Sequence, residues 1–284
     1  MIALTGATGL IGGLVRERLD ASETPTRLIV RDPSRLGTPH PDVRTAGYGD
    51  ADALLGALAG VGTLFMVSAA ESADRVAEHR TLIDAAARAG VARIVYLSFI
   101  GADPQASFTL AHDHAATEAH LRASGLAVTF LRDNFYHRLI AQMAGADGVI
   151  RGPAGQGRIG SVAHSDVADA VAAVVLAGTR YDGETFTLTG PRTWSLAEGA
   201  RELSAVTGRT VTYLPETEAE AHESRAQYGA PEWEVAGWIS SYLAIAAGEM
   251  DVVTDHIERL TGHPAQDLPE YLRRNPDAYR HLPA

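Results

Sequence analysis

The first twelve residues join a short strand to a helix through closely spaced glycines. Ile2-Ala3-Leu4-Thr5 favours a buried strand, and helical periodicity follows Gly6-Ala7-Thr8-Gly9-Leu10-Ile11-Gly12. Gly6 permits a tight turn, Gly9 lets the backbone approach a pyrophosphate, and Gly12 lets the helix pack closely on the strand. This order of elements predicts a dinucleotide site; the alternative is a glycine-rich strand–helix turn that binds no ligand. The expected contacts come from Gly6, Thr8, Gly9, Leu10 and Ile11.

Strand-like and helical patterns alternate up to residue 132. The apolar runs 64–67 and 94–97 lack polar alternation, which is typical of strands buried on both faces. The pattern predicts an α/β fold, a doubly wound parallel sheet (Rossmann), over residues 1–132. For residues 133–284 we expect a smaller, mixed α/β substrate lobe that is interleaved with this core. Strands are predicted at 2–5, 27–31, 43–48, 63–68, 93–98 and 127–132, and later at 158–162, 184–189 and 210–214.

Composition excludes several kinds of chemistry. All 24 basic residues are arginine, so a Tyr–Lys proton relay, a Schiff base and a P-loop lysine are excluded. The absence of cysteine excludes thiol nucleophiles, disulfides and cysteine-ligated metals. Net charge is -11 and the arginines are scattered, so nucleic acid is not an expected partner.

Two features of the sequence bear on cellular location. The glycine motif begins at residue 6, which leaves no room for a signal peptide before it. The longest apolar run, 170–177, is too short to span a bilayer. We therefore expect a cytoplasmic protein without a membrane partner, and a homodimer is left open.

The second predicted strand bears on the choice of nucleotide. Leu28-Ile29-Val30 is followed by Arg31, and Arg35 lies in the next turn. An acidic residue at this point binds the ribose of NAD, whereas an arginine accommodates the 2′-phosphate of NADP. Arg31 and Arg35 favour NADP as the cofactor, and NAD stays open because Asp32 is adjacent. The alternative for Arg35 is an exposed loop charge.

Two more strand ends supply candidates by position. Asp50 follows the third strand, where a carboxylate can meet the adenine amino group. Ser68, Ala69 and Glu71 follow the fourth strand, where small residues let the chain pass beneath the nicotinamide ribose and pyrophosphate. Ligands bind doubly wound sheets at these carboxyl ends.

The helix after the fifth strand carries the reactive candidates. Standard short-chain reductases have Tyr-x-x-x-Lys there, whereas this helix has His114 and Glu118, one turn apart on one face. With this replacement the chain resembles the NmrA-like group of atypical short-chain dehydrogenases, and within it the type-2 NAD(P)H:quinone oxidoreductases. Further motifs that carry the resemblance are Thr5-Gly6-Ala7-Thr8-Gly9, Arg31, Gly49-Asp50, Leu131-Arg132-Asp133-Asn134-Phe135-Tyr136, His164-Ser165-Asp166-Val167-Ala168 and the stretch 71–86, with Arg75, His79 and Arg80.

The resemblance implies hydride transfer from NAD(P)H to a quinone or related planar aromatic substrate. The candidate catalytic residues are His114, as a cofactor-site or acid residue, and Tyr136, whose phenol follows the sixth strand and can donate to a quinone oxygen. Arg75 is a candidate cofactor contact. Quinones accept hydride readily, so such an enzyme needs placement of the nicotinamide more than a strong acid. The alternative is a nucleotide-binding redox sensor without turnover, which the group also includes.

Ordinary structural roles are the alternatives for these side chains. His114 could be a hydrogen-bonded structural histidine, and Tyr136 a half-buried packing residue. No metal site is expected, because His112 and His114 point about 200° apart on a helix. Aromatic residues near the end of the chain could line a substrate slot or belong to the core. These are Trp233, Trp238 and Tyr242.

Overall fold

The computed structural model describes residues 1–282. Strands and helices alternate in its first half, as the apolar runs and the glycines between them predict. The elements are β1 (Ile2–Thr5), α1 (Leu10–Ala21), β2 (Thr26–Val30), β3 (Val43–Thr45), α2 (Ala51–Ala57), β4 (Thr63–Val67), α3 (Arg75–Arg88), β5 (Arg93–Phe99), α4 (Ala111–Ala123) and β6 (Ala127–Asp133). A short 3-10 helix, Pro33–Arg35, follows β2.

The second half has shorter strands and more helix. Its elements are α5 (His137–Gln142), β7 (Val149–Gly152), β8 (Arg158–Ile159), α6 (His164–Leu176), β9 (Thr185–Leu188), β10 (Trp194–Ser195), α7 (Leu196–Thr207), β11 (Thr212–Pro215), α8 (Glu218–Arg225), α9 (Glu232–Ala246), α10 (His256–Thr261) and α11 (Leu268–Arg274). Three-residue and four-residue 3-10 helices lie at Gly178–Tyr181, Ala226–Tyr228 and Pro276–Tyr279.

Within residues 1–282 the central sheet has seven strands in the order β3-β2-β1-β4-β5-β6-β9. The pairs from β3 across to β6 are parallel, and Leu4 lies in register between Leu28 of β2 and Phe65 of β4. The chain winds outward from β1 in one direction and from β4 in the other, so the strand order reverses between them. The predicted doubly wound α/β fold is confirmed.

The two central strands of the sheet are buried, as their unbroken apolar sequences predict. Phe65 and Tyr96 are among the largest fully buried side chains. Helices α2 and α3 contribute side chains to the same apolar cluster as β4 and β5. Helix α1 packs on α6, and Arg18 of α1 pairs with Asp169 of α6 at 2.8 Å.

The described chain divides into two compact units. The first consists of residues 1–102, 113–133 and 164–187 and contains nearly all of the seven-stranded sheet. The second consists of residues 103–112, 134–163 and the chain from Leu188 on. Its described strands form two small sheets, antiparallel β10-β8 and parallel β11-β7. Helix α6 thus falls with the first unit, although it follows residue 132 in sequence.

Two elements of the second half, α5 and β8, are shorter than their sequence patterns suggest. Helical periodicity favours a helix from Phe135, but Phe135 and Val162 form backbone hydrogen bonds outside any helix instead. The N–H of Val162 donates to Phe135 O at 3.0 Å, and the N–H of His137 donates to Val162 O at 2.9 Å. These bonds keep the backbone at Tyr136 extended, so α5 begins at His137. The predicted strand at 158–162 is shorter in the structure, where β8 ends at Ile159.

No helix among residues 1–282 is long and apolar enough to cross a membrane. In the same range, His, Asp and Glu side chains do not gather in a group of three that could hold a metal ion.

Candidate active site

The turn after β1 shows why its glycines are required. Gly6 has φ of 69°, in the left-handed region that glycine favours. A Cβ on Gly12 would lie 2.1 Å from the carbonyl oxygen of Gly6, so only glycine fits there. The N–H of Gly9 donates to Gly6 O at 2.8 Å, which closes the turn. Gly9 is also the N-cap of α1, so the first N–H groups of the helix point toward whatever lies over this turn.

Thr5 joins the two strands that flank the reversal of strand order. Its hydroxyl donates to Phe65 O at 3.3 Å and accepts from the N–H of Val67 at 3.0 Å. The carboxyl ends of β1 and β4 are thereby held together. A crevice at this point of a doubly wound sheet is where dinucleotides bind.

The loop after β2 exposes both candidate arginines. Arg31 and Arg35 are exposed; Arg31 precedes the 3-10 turn that Asp32 caps, and Arg35 is the last residue of that turn. The carboxylate of Asp32 accepts from the N–H of Ser34 at 3.0 Å and from its hydroxyl at 2.6 Å. These hydrogen bonds lower the pKa of Asp32. Both bonds to Asp32 use Oδ1, and the two exposed guanidinium groups stay the predicted contacts of a ribose 2′-phosphate.

Asp50 has a local role in the structure. It is the N-cap of α2, and its carboxylate accepts from the N–H of Ala53 at 3.0 Å. The carboxylate is exposed, but it lies five residues after β3, which ends at Thr45 and is shorter than the predicted strand 43–48. Its contact with adenine stays a prediction.

Two rings hold the loop after β4: the half-buried ring of Tyr48 and the buried ring of His79. The hydroxyl of Tyr48 donates to Val67 O at 2.6 Å, and the N–H of Ala69 donates to Nε2 of His79 at 2.8 Å. Ser68 and Ala69 are half-buried, whereas Glu71 is exposed. The backbone that we expect beneath the nicotinamide ribose is therefore held by side chains of the loop after β3 and of α3.

His79 has a single tautomer. Nε2 accepts from Ala69, so the ring proton is on Nδ1, which donates to the Thr117 hydroxyl at 2.8 Å. The hydroxyl of Thr117 in turn donates to Asp113 O at 2.7 Å. Burial, together with the nearby charge of Arg75, lowers the pKa of His79 to about 3. His79 is therefore neutral at physiological pH.

His114 lies between Arg75 and Tyr96. Nε2 of His114 is 3.2 Å from Nη2 of Arg75, and Nδ1 is 3.0 Å from the Tyr96 hydroxyl oxygen. A guanidinium can only donate, so Nε2 accepts and the proton is on Nδ1. Burial and the charge of Arg75 hold the pKa of His114 well below its usual value. His114 is a buried, neutral imidazole with both nitrogens engaged.

Glu118, one turn further along α4, belongs to a separate cluster. Its carboxylate accepts from the Ser98 hydroxyl at 2.7 Å and from Arg132 at 2.8 and 2.6 Å. Arg122 donates to it at 2.7 Å. Burial alone would raise the pKa of Glu118, but the hydrogen bonds from Arg132 and Ser98 outweigh it and lower the pKa. Glu118 is thus held as a carboxylate and has no proton to donate at neutral pH.

Comparison with known proteins shows the family to which the chain belongs. Residues 6–177 match the sequence model of an NAD(P)H-binding family. The chain belongs to this NAD(P)H-binding family. The match includes the glycine turn after β1, the loop with Arg31 and Arg35, and helix α4 with His114.

Several relatives that are similar over the whole chain are reductases. Quinone oxidoreductase 2 of Escherichia coli is 35% identical over 278 residues, 95% of this chain and 96% of that protein. Its crystal structure complexed with NADPH has a TM-score of 0.89 and covers 96% of this chain and 99% of that one. An NAD(P)H azoreductase of Xenophilus azovorans is 29% identical over 98% of this chain and 99% of that protein. The triphenylmethane reductase of Citrobacter is 30% identical, with a TM-score of 0.85 and coverage of 98% and 99%.

These similarities place the chain among the NAD(P)H-dependent oxidoreductases. The predicted resemblance to the quinone oxidoreductases and the predicted nicotinamide cofactor are confirmed. The fold is also that of NmrA, which is 18% identical with a TM-score of 0.78. The individual contacts of that cofactor stay predictions.

The structure brings some of the predicted site residues together. Arg75, predicted as a cofactor contact, is buried against His114, and its guanidinium is also 3.6 Å from the carboxylate of Asp113. Leu10 is 49% exposed at the start of α1, while Ile11 is buried. Tyr136 belongs to the second unit, where it is half-buried at the N-cap of α5 and forms a bridge to Val162.

Sequence reasoning gives no role to His79 or Tyr96, which the structure shows in the same buried network as His114. The spacing of Arg75 and His79, one turn apart on α3, is the sequence signal that puts them on one helix face. It does not reveal their partners, which lie 39 and 38 positions away along the chain.

Proposed function

We propose that this enzyme transfers a hydride from NADPH to a quinone or to a related planar, conjugated acceptor. The observation that carries the proposal is the state of His114. In place of a tyrosine activated by lysine, α4 has a neutral imidazole with both nitrogens bonded and a carboxylate held ionised by Arg132. An unactivated ketone needs a proton on the developing alkoxide in the transition state. A quinone does not, because its conjugated product anion is stable enough to take a proton from water.

The relatives support this choice of acceptor. Their names refer to quinones, to azo compounds and to triphenylmethane dyes. These compounds have different functional groups, but each is a conjugated, electron-poor acceptor that can take a hydride without a proton at the same step. The shared requirement is placement of the acceptor, which is worth more here than acid catalysis.

The residues of the first unit fit the cofactor. Gly12 leaves no room for a Cβ at the turn, and the first N–H groups of α1 and the helix dipole suit a pyrophosphate. Arg31 and Arg35 would bind the 2′-phosphate, which favours NADPH over NADH. When bound, the nicotinamide supplies the hydride. The loop at Ser68 and Ala69, fixed by His79, would support its ribose.

Two residues have proposed roles in the reaction. We assign His114 a positioning role, because it orients Arg75 and Tyr96 and its low pKa keeps the imidazole neutral instead of an imidazolium acid. Tyr136, directly after β6 in the chain, has a phenol that can donate a hydrogen bond to a quinone oxygen. A hydrogen bond of this kind would orient the acceptor and assist the developing charge.

Stopped-flow oxidation of NADPH tests the function. We expect fast oxidation with benzoquinone and naphthoquinone acceptors, and reduction of cyclohexanone at least about 100-fold slower, the lower range of an acid's contribution. His114→Asn and Tyr136→Phe should each keep measurable quinone reduction. Complete loss in either variant with NADPH binding intact would show an obligate proton donor. Lack of NADPH oxidation by the unmodified protein across the quinones would overturn the proposal and favour a sensor.

A further inference from the structure

An open cleft of about 870 Å³ lies on the second unit. The C-terminal end of α5 and strand β7 form one wall, and α8 with α9 forms the other. Its volume is in the range of sites for drug-sized molecules. The lining includes Met143, Arg151, Arg225, Tyr228, Trp238 and Tyr242.

Two aromatic rings form a corner at the mouth of the cleft. The rings of Tyr228 and Trp238 are perpendicular, with an interplanar angle of 90° and centroids 6.0 Å apart. Tyr228 is 66% exposed, which is a large exposure for a tyrosine that already contacts another ring. A planar ligand stacked on one of these rings would present its edge to the other ring. Stacked and edge-to-face arrangements are both favourable for aromatic pairs.

The floor of the cleft is rigid. The ring of Tyr242 lies so close to Gly152 that a Cβ there would be 2.3 Å from it. The guanidinium carbon of Arg225 is 5.2 Å from the centroid of the same ring. Arg225 is buried, pairs with Glu216 at 2.7 Å and donates to Arg151 O at 2.9 Å. These contacts already hold the side chains of the floor in place, so binding of a ligand would require little further loss of side-chain freedom there.

The two arginines that line the cleft are each paired with a carboxylate. Arg151 binds the carboxylate of Asp147 at 2.7 Å, and Arg225 binds Glu216 at the same distance. Both guanidinium groups are thus neutralised, so the lining does not favour an anionic ligand. The chemistry favours an uncharged ligand with an extended flat face.

The cleft is distinct from the neighbourhood of Tyr136. The described residues that line it do not include Tyr136, which precedes α5, whereas Gln142 and Met143 lie at the other end of that helix. Six residues of helix separate these ends by about 9 Å. We propose that the cleft is a second binding site, for a neutral planar aromatic molecule, separate from the place where the acceptor takes the hydride. It does not depend on which acceptor is reduced.

Isothermal calorimetry with 2-naphthol as the probe tests this site on the full chain saturated with NADPH. 2-Naphthol is flat, uncharged at neutral pH and not reducible by hydride. We expect saturable binding that weakens about tenfold or more in Tyr228→Ala and in Trp238→Ala, the loss of one stacking partner. Trp233→Ala is the matched control: Trp233 is 44% exposed on the same helix as Trp238 but outside the lining, and its removal should leave the Kd unchanged. 2-Decalol, similar in size but not flat, should bind more weakly.

Kinetics decide whether the site is separate. We expect Tyr228→Ala to reduce quinone at the rate of the unmodified protein, and 2-naphthol to be non-competitive or silent against the quinone. Unchanged affinity in both Tyr228→Ala and Trp238→Ala, equal loss in Trp233→Ala, or no binding to the unmodified protein would overturn the proposal. Competitive inhibition with the calorimetric Kd would place the ligand at the acceptor site and overturn it as well. If quinone reduction were itself absent, the calorimetric series would still give its answer.

Discussion

Nε2 of His79 accepts a hydrogen bond from the backbone N–H of Ala69 at 2.8 Å, which ties α3 to the loop after β4. The other ring nitrogen donates to Thr117 on α4, so one buried imidazole joins three parts of the first unit. The loop it holds is the one expected beneath the nicotinamide ribose. His79 thus links the packing of α3 and α4 to the position of the loop that we expect to support the cofactor.

Removing this imidazole should loosen the cofactor loop. We expect His79→Leu to raise the KM for NADPH about tenfold. One buried hydrogen bond contributes about 1–2 kcal/mol, and its loss would leave the loop at Ala69 less well ordered for the cofactor. The kcat should change less than the KM. His79→Gln can still accept from Ala69 and should recover much of the affinity, measured by calorimetry with NADPH. Equal behaviour of the two variants would show that the hydrogen bond does not position the loop.

The sheet and its glycine turn were accessible from sequence because their signals are local. The turn between Gly6 and Gly12 depends on residues adjacent in the chain, and the apolar runs of β4 and β5 report their own burial. The network around His114 is different, because Tyr96, Arg75 and His114 come from separate elements. Its donors and acceptors depend on the packing of helices on the sheet. The extended backbone at Tyr136 likewise depends on its bridge to Val162, a pairing that local sequence does not show.

The buried state of His79 also predicts a dependence of stability on pH. The pKa of His79 is about 3 in the folded protein and near the ordinary 6.5 when unfolded. The unfolded chain therefore binds the proton first as the pH falls below 6.5, and stability is lost in that direction. Between pH 6.5 and pH 5 the contribution is about 2 kcal/mol. Urea unfolding of the unmodified protein and of His79→Gln at pH 7 and pH 5 measures it. The variant should lose less stability, and an equal loss in both proteins would contradict the assignment.

Arg31 should decide between the two nicotinamide cofactors. We expect Arg31→Asp to weaken NADPH binding by about 10- to 150-fold, the equivalent of one charge-assisted hydrogen bond of about 1.5–3 kcal/mol, and to spare NADH. Arg88→Asp is the control for net charge, because Arg88 is exposed at the C-terminal end of α3, away from the carboxyl ends of the strands. Its ratio of NADPH to NADH affinity should be that of the unmodified protein. An unchanged ratio in Arg31→Asp would mean that this guanidinium does not contact the 2′-phosphate.

Two adjacent glycines of α1 give the sharpest test of the phosphate turn. A Cβ on Gly12 would lie 2.1 Å from Gly6 O, whereas a Cβ on Gly13 would lie 3.7 Å from Ala7 O, an ordinary contact. Gly12→Ala must therefore push the helix away from the turn, and overpacking of this kind costs about 1–3 kcal/mol of stability. NADPH affinity should fall with it, because the first N–H groups of α1 move. Gly13→Ala should keep NADPH binding and gain up to about 1 kcal/mol from helix propensity. Thermal unfolding with and without NADPH measures both effects: the cofactor should raise the Tm of Gly13→Ala as it does for the unmodified protein, and should raise that of Gly12→Ala far less. A full cofactor-induced Tm shift in Gly12→Ala would mean that the pyrophosphate binds elsewhere.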